Sequence, residues 1–253
     1  DQYLKRFGYT FKNQINELAG YAILQNKKFI LAADIGSNPD KIYTKDYQAG
    51  ALSFEIFSND KKLISNSGYY PDTKNRLNKL SKSTALQNTL SIEDYSSSDF
   101  IKSSNNFLIQ KDLKIENKNI VFEKNYWKIS ASHNGYFKKF KLDHHREIEF
   151  YPEQFKFIGH DKIVRKDPDK QIKFDIRFHL HPDSKVMKTQ NSKFILIQLE
   201  DEGWQFSCDN YDINIDNGLY FGNKNSYQEN QNIFISGMNN ESEQIIRWEI
   251  IKI

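Results

Sequence analysis

The sequence predicts an all-β fold, a large antiparallel β-sandwich with few short helices. Strict alternation of apolar and polar residues is the main observation. In "IKFDIRFHLH" (172–181), Ile172, Phe174 and Ile176 begin one face, whereas charged residues and two histidines occupy the other. This period of two is typical of a strand with one buried face. Turn-forming residues separate many such runs and helical periodicity is scarce, which favours a sandwich of many short strands.

The elements follow one another along the chain with short connections. The first 18 residues and part of 73–86 are the best helical candidates, and 73–86 is also compatible with a long loop. Strands are predicted at 51–57, 126–132, 147–151, 154–158, 172–181, 194–199, 204–208, 211–215, 232–236 and 244–253. Turns are predicted at "NDKK" (59–62), "DNG" (216–218) and "GMNN" (237–240). The polar segment 94–119 is predicted to be a long loop or an excursion at a sheet edge.

Length and composition predict one large domain over 1–253, because 253 residues with 38% hydrophobic content can bury a sizeable core. A net charge of +3, from 36 basic and 33 acidic residues spread along the chain, indicates neither a nucleic-acid nor a membrane partner. The single cysteine, Cys208, excludes an internal disulfide and a cysteine-rich zinc site. No run reaches the roughly 18 apolar residues of a membrane helix. The charged start indicates either a removed presequence or a piece of a longer protein.

Two histidine-containing stretches are candidates for chemistry. His179 and His181 share one strand face, as a metal-binding pair would, but no third imidazole is close in sequence and Pro182 follows at once. We therefore favour a polar strand face over metal ligation. The segment 128–146 combines three histidines with aromatic and basic residues, which suits an acidic sugar. Its alternative is an ordinary exposed strand and hairpin whose aromatic residues cap a core.

Local signatures of common enzyme classes are missing from the sequence. It has no Gly-rich phosphate loop, no G-x-S-x-G motif, no H-E-x-x-H motif and no cysteine–histidine pair. The sequence therefore disfavours most enzyme classes that have local signatures.

Four groups of landmarks, taken in order, resemble the C-terminal β-domain of the heparinase II/III-like family of polysaccharide lyases. They are "AGALSFEI" (49–56) with "KLISNSGYY" (62–70), "KSTALQNTLSIED" (82–94), "SASHNGYFKKFKLDHHREIEF" (130–150) with "IGHDKI" (158–163), and "IRFHLHPD" (176–183) with "ILIQLEDEGWQFSCD" (195–209) and "GLYFG" (218–222). The resemblance extends from about residue 19 to residue 253. It rests on the order and spacing of the landmarks, since no one motif is decisive.

The resemblance implies a supersandwich-like β-sandwich that forms the C-terminal part of a longer protein. An N-terminal α/α toroid of helices would be its partner, with the substrate groove between them. It also implies β-elimination on a uronate-containing polysaccharide such as a glycosaminoglycan. In that reaction the carboxylate is neutralised, a base removes the neighbouring carbon-bound proton, and an acid protonates the departing oxygen. Because the helical part supplies some of these groups, we expect this chain to be inactive alone. A periplasmic or secreted location is favoured by the same resemblance.

Family members commonly hold a structural metal with histidine, aspartate and histidine. The matching residues here are Gln48, Asn66 and Gln87, all neutral amides. Amides lack the charge and the softer nitrogen donors that bind zinc. We therefore predict no metal at this site and no cofactor. We expect the amides to hydrogen-bond one another or a water, since buried polar groups need partners.

Five residues are candidates for contact with an acidic polysaccharide: Gln48, Lys82, Gln87, His133 and Tyr136. Lys82 stands where relatives often have arginine, which keeps a cation and loses the two-pronged hydrogen bonding to a carboxylate. His133 and Tyr136 match the H-x-G-Y motif of the family. They are therefore better candidates than the two histidines of "RFHLHPD", a stretch that we interpret as framework.

Three functions are compatible with these patterns. The first is the β-domain of a lyase that cleaves uronate-containing polysaccharide with the help of its helical partner. The second is a noncatalytic carbohydrate-binding or interaction module, which the three amide replacements favour. The third is a structural domain that completes the fold of its neighbour, in which case exposed apolar strands would be expected.

Overall fold

The computed structural model describes residue 6 and residues 16–103, 106–109, 112–189, 193–222 and 226–253. Within these residues the strands form four antiparallel sheets of five, eight, four and two strands. The sheets are arranged as a sandwich without long helices, which confirms the predicted all-β class.

The five-stranded sheet follows chain order. Its strands are β1 (Glu17–Leu18), β2 (Tyr21–Gln25), β3 (Phe29–Asp34), β4 (Phe54–Ser58) and β5 (Lys61–Ile64). Alternation along β2 buries Ala22 and Leu24 and leaves the residues between them exposed. Strands β4 and β5 are joined at Asn59 and Asp60, whose φ angles are 46° and 64°. Two successive left-handed residues are typical of a type I′ hairpin, which confirms the turn predicted from "NDKK".

The eight-stranded sheet is the largest. From one edge to the other its strands are β14 (Lys185–Lys188), β15 (Phe194–Leu199), β16 (Glu202–Cys208), β19 (Glu243–Lys252), β12 (Lys156–Arg165), β11 (Leu142–Tyr151), β10 (Trp127–His133) and β9 (Ile115–Phe122). Strand β11 alternates between buried and half-buried residues over its whole length. One face of the sheet is therefore in the core and the other is accessible to solvent.

The four-stranded sheet lies on the other side of the core. Its order is β17 (Ile213–Tyr220), β18 (Gln228–Asn239), β13 (Ile172–His179) and β6 (Leu90–Ile92). Strands β7 (Phe100–Ser103) and β8 (Asn106–Ile109) form a separate two-stranded sheet. These elements correct two predictions. "DNG" is not a turn, because Asp216, Asn217 and Gly218 pair with β18 inside an edge strand. The segment 94–119 contains β7, β8 and the start of β9 as well as loop.

Aromatic side chains join the three larger sheets into one core. Trp248 of β19 stacks on Phe54 of β4, with ring centroids 5.3 Å apart and an interplanar angle of 7°. Phe178 of β13 lies edge-on to Trp248 at 4.9 Å and to Phe206 of β16 at 4.7 Å. All four rings are fully or almost fully buried. Such pairs add about 0.5–1.5 kcal/mol each beyond the burial of their area.

Helices are few and short. In the predicted 73–86 region, α1 (Arg76–Ser81) begins after Asn75, whose side chain accepts from Leu77 N at 3.0 Å, and a 3-10 helix follows at Thr84–Leu86. A second 3-10 helix lies at Lys41–Tyr43, and α2 (Phe137–Phe140) connects β10 to β11. Of the helix predicted for the first 18 residues, positions 1–5 and 7–15 lie outside the described residues. No helix in the described ranges combines the length and the apolar character needed to cross a membrane.

Candidate functional site

The three segments that carry the amide residues meet at one place. Gly50 is so close to Gln87 that a Cβ atom on Gly50 would lie 3.3 Å from Gln87 Oε1. Asn66 Oδ1 accepts from the main-chain N–H of Asn88 at 2.7 Å. Gln48 Nε2 donates to the carbonyl groups of Gly68 at 2.6 Å and Ser81 at 2.7 Å. The fold thus brings the 48–50, 66–68 and 81–88 segments together.

The amide side chains are held mainly by the surrounding chain. Asn66 Nδ2 also donates to Ser53 Oγ at 3.3 Å, so it binds a serine and the main chain. Gln87 is 2% exposed, and its Nε2 is a buried nitrogen without a hydrogen-bond partner in the described part of the chain. A cluster of neutral amides offers neither a carboxylate nor an imidazole to a zinc ion. The donor set therefore does not fit the metal that the family resemblance implies. The described residues also contain no group of three His, Cys, Asp or Glu side chains arranged to hold a metal.

Tyr69 lies beside these segments with its hydroxyl group fixed on two sides. The hydroxyl donates to Asp46 Oδ1 at 2.9 Å and accepts from Asn78 Nδ2 at 3.0 Å. Lys82 Nζ lies 5.7 Å from the centroid of the Tyr69 ring and donates to the carbonyl of Lys45. Burial raises the pKa of Tyr69 and lowers the pKa of Lys82. This arrangement presents a neutral tyrosine next to an ammonium group.

The loop 40–48 and the segment 72–82 bind the Tyr69 hydroxyl through Asp46 and Asn78. We call the basic surface of these two segments the α1 surface. Together they contain six lysine or arginine residues and three aspartates. Lys45, Lys74, Arg76 and Lys79 are exposed, and Tyr43 is 69% exposed. Lys82 itself is buried, so it acts on the surface through its charge. The sequence prediction named Lys82 and Gln48, which lie in these two segments, and did not name Tyr69 or the exposed cations. The density of basic residues in "TKNRLNKLSK" (73–82) is the signal that could have found them.

His133 and Tyr136 of the H-x-G-Y motif lie in the core. They are 2% and 1% exposed. Tyr136 donates its hydroxyl proton to the carbonyl of Leu90 at 2.9 Å, and burial raises its pKa. The geometry gives both residues structural partners, whereas contact of either with a polysaccharide remains a prediction.

His133 begins a chain of hydrogen bonds through the core. The main-chain N–H of Gly135 donates to His133 Nδ1 at 3.0 Å, so the ring proton of neutral His133 is on Nε2 and faces His144 Nδ1, 3.2 Å away. His144 then donates from Nε2 to Asp161 Oδ1 at 2.7 Å. Burial lowers the pKa of both histidines. Both rings are therefore neutral, and their tautomers follow from these partners.

Asp161 ends this chain as a fully buried carboxylate. Besides His144, it accepts from Arg146 Nε at 2.7 Å, from Arg146 Nη2 at 3.0 Å and from Trp248 Nε1 at 2.8 Å. Burial alone would raise its pKa, but the charge of Arg146 and these hydrogen bonds outweigh that effect and hold the pKa well below its usual range. Arg146 also donates to the Leu52 carbonyl at 2.9 Å. The network thus ties the eight-stranded sheet to the segment next to Gly50.

The sequence contained a signal for this network that we did not use. Alternation places His144 and Arg146 on the same face of β11 as Ile148 and Phe150. Polar residues on the inner face of a strand predict a buried polar network, because such groups need partners.

His179 and His181 have separate environments. His179 is 1% exposed, and its ring lies 3.0 Å from the Ala85 carbonyl through Nε2 and 3.2 Å from Ser67 Oγ through Nδ1. His181 Nδ1 lies 3.3 Å from an oxygen of Asp183. His179 is thus a core residue, which corrects its placement on an open polar strand face, and its hydrogen bonds agree with its interpretation as framework.

Comparison with known proteins adds the family. The description "Heparinase II/III-like, C-terminal" matches residues 17–249. FtsZ-localized protein C of Caulobacter vibrioides is 24% identical over 249 residues, which cover 92% of this chain and 42% of that protein. The fold is similar to that of the heparan sulfate lyase HepC from Pedobacter heparinus, with a TM-score of 0.76, 13% identity, and coverage of 99% of this chain and 38% of that one. It is also similar to a heparinase III, with a TM-score of 0.69, 15% identity, and coverage of 100% and 41%.

The chain therefore spans about two fifths of the length of these relatives. Because the family match covers most of the residues in this chain, the chain belongs to the heparinase II/III-like, C-terminal family.

Proposed function

We propose that this chain is the β-sandwich part of a protein that cleaves a uronate-containing polysaccharide by β-elimination, with a helical domain as its partner and without turnover of its own. The observation that carries the proposal is the α1 surface, where the two segments that bind Tyr69 carry exposed cations and the buried Lys82 lies beside the Tyr69 ring. An acidic polymer is the ligand that such a surface attracts, because clustered charges of one sign raise the local concentration of their counter-ion.

The chemistry of the α1 surface suits one part of the reaction. Cations beside a uronate carboxylate reduce its negative charge and so stabilise the enolate that forms when the neighbouring proton is removed. A phenolic oxygen can accept two hydrogen bonds. The Tyr69 oxygen accepts one, from Asn78, which leaves one position for a hydrogen bond from a substrate hydroxyl. Tyr69 is thus the group of this chain that we assign to contact with the reacting sugar.

Family membership supports the proposal, because the description of the family and the names of the structural relatives refer to heparinases and a heparan sulfate lyase. Removal of the carbon-bound proton needs groups in addition to those of the α1 surface. We assign these groups to a helical toroid that packs beside the sandwich. A location outside the cytoplasm, where the polymer would be met, belongs to the same proposal.

A second candidate function is a noncatalytic module that binds acidic carbohydrate. The observation that favours it is the donor set of Gln48, Asn66 and Gln87, which lacks the charge to hold a metal. A protein that had lost its metal but kept the α1 surface would bind the polymer and leave it intact.

The two candidates are separated by measuring binding and cleavage on the same samples. Full-length protein would be incubated with heparan sulfate, alginate and other uronate polymers while the absorbance of the unsaturated product is followed, and binding would be measured by calorimetry. The variant Lys74→Ala with Arg76→Ala removes two exposed cations of the α1 surface. The matched control is Lys173→Ala with Lys185→Ala, which removes two exposed cations from strands β13 and β14.

Cleavage of a polymer that is weakened by the α1-surface variant and by Tyr69→Phe, but not by the control, would support the lyase. Binding with the same dependence and no cleavage would support the module. If no uronate polymer is bound or cleaved, both candidates are wrong.

A further inference from the structure

A pocket lies on the solvent-facing side of the eight-stranded sheet and shares no lining residue with the α1 surface. It has a volume of about 430 Å³, within the range of about 300–1,000 Å³ that small-molecule sites occupy. The sheet separates it from the core, because β11 directs Arg146 inward toward Leu52 and directs His145 and Glu147 outward. The side chains that carry the argument are Asn117, Ser130, His145, Glu147, His160 and Ile245.

Strand register builds this pocket from three neighbouring strands. Glu147 of β11 lies opposite Ser130 of β10 on one side and opposite His160 of β12 on the other. His145 is two residues from Glu147 on the same face of β11. Cross-strand neighbours on one face are within reach of a common ligand. The register thus gathers a hydroxyl, a carboxylate and two imidazoles around one space.

The charges in the pocket are already balanced by neighbouring residues. Lys128 forms an ion pair with Glu147, and Lys162 forms one with Glu243 at 2.7 Å. Burial and the charge of Lys162 lower the pKa of His145, so its ring is neutral near pH 7 and offers one donor and one acceptor. The pocket therefore differs from the α1 surface, since it offers paired donors and acceptors without an excess of positive charge.

One polar atom of a residue that lines the pocket lacks a hydrogen-bond partner among the described residues. His160 Nδ1 is buried, and the described part of the chain supplies no hydrogen bond to it. Buried polar atoms are almost always hydrogen-bonded in folded proteins, so this nitrogen is suited to a ligand that supplies the missing group. Ile245, which is 54% exposed, adds an apolar contact at the rim.

We propose that this pocket binds one uncharged sugar ring and is a second carbohydrate site, separate from the α1 surface. Sugar hydroxyl groups both donate and accept hydrogen bonds, which matches the neutral imidazole of His145, a serine and an asparagine amide. The apolar C–H face of a pyranose ring would pack against the side chain of Ile245. A metal ion is the less suitable ligand, because Glu147 is engaged by Lys128 and the described residues show no three-ligand group.

The test uses full-length protein and four probes: D-glucose, D-galactose, N-acetyl-D-glucosamine and D-glucuronate. Saturation-transfer NMR detects contact and calorimetry measures the dissociation constant. Two variants, His160→Ala and Ile245→Asp, change side chains at the solvent-facing side of the sheet, and thermal unfolding checks that each is folded. The α1-surface variant, Lys74→Ala with Arg76→Ala, is the matched control.

We expect at least one of the three uncharged sugars to bind saturably. Either pocket variant should raise the dissociation constant of that sugar about tenfold, which is the change expected for the loss of one hydrogen bond or of an equivalent apolar contact. The control should bind the sugar as the wild type does. The proposal is overturned if none of the uncharged sugars binds, if both folded pocket variants bind normally, or if the α1-surface variant binds D-glucuronate more tightly than all three. The control variant leaves this pocket intact. A failure of the pocket proposal can therefore be distinguished from a failure of the proposal that the α1 surface binds acidic polysaccharide.

Discussion

Acidification should destabilise this fold through His179, and replacing that histidine with glutamine should remove this contribution. His179 is 1% exposed between the Ala85 carbonyl and Ser67 Oγ. Burial lowers its pKa from 6.5 to about 4. Because the pKa in the folded state is below that in the unfolded state, the stabilising contribution is complete above about pH 6.5 and is lost as the pH falls toward 4. One pKa unit corresponds to about 1.4 kcal/mol, so a fall to about pH 5 should cost about 2 kcal/mol.

The assay is urea unfolding followed by tryptophan fluorescence near pH 7 and near pH 5, for the wild type and His179→Gln. Other titrating groups are shared by the two proteins, so their contributions cancel in the comparison. His181→Gln is the control, because its ring is partly exposed beside Asp183 and should leave most of the wild-type pH dependence in place. If His179→Gln loses as much stability as the wild type on acidification, the assignment of a buried neutral His179 is wrong.

Three further predictions concern the core and the amide cluster. Asp161→Asn should lower the free energy of unfolding by about 3–5 kcal/mol, because it leaves the buried Arg146 without its charge partner; urea unfolding measures this, and a loss below about 1 kcal/mol would contradict it. Gly159→Ala should lower the melting temperature strongly, because its Cβ would lie 2.0 Å from Trp248 Cζ2; calorimetry measures the shift, and an unchanged melting temperature would refute the close approach. A triple substitution that restores metal-type donors should give zinc binding, and elemental analysis showing no zinc would refute the mapping of the site. The three changes are Gln48→His, Asn66→Asp and Gln87→His.

The strands were the most predictable part of the structure. Phe194–Leu199 was predicted at its observed bounds, and β19 at 244–253 was within one residue of Glu243–Lys252. Alternation works there because each strand has one face in the core. It failed at "DNG", where Asn and Gly lie in an edge strand and their turn propensity is overridden by pairing with β18.

The candidate site was predictable only in part. The order of the family landmarks led us to expect that the segments of Gln48, Asn66 and Gln87 lie together. The structure shows that these segments are in contact. The role of His133 was harder to foresee, because a histidine in an apparent sugar motif looks the same in sequence whether it faces a groove or His144. Tyr69 and Asp46 are 23 residues apart in the chain. Their hydrogen bond depends on how the loop 40–48 packs against α1, which no local pattern reports.

The position of β19 has a consequence for the order of assembly during synthesis. This strand pairs with β12 on one side and with β16 on the other, so it is the only direct link between the two halves of the eight-stranded sheet among the described strands. Strands β14 to β16 and strands β9 to β12 can therefore join only after Glu243–Lys252 has emerged from the ribosome. Until then β16 and β12 are unpaired edge strands. Such edges are prone to pair with other chains. Nascent chains of this protein should therefore depend on chaperones until translation has passed Lys252.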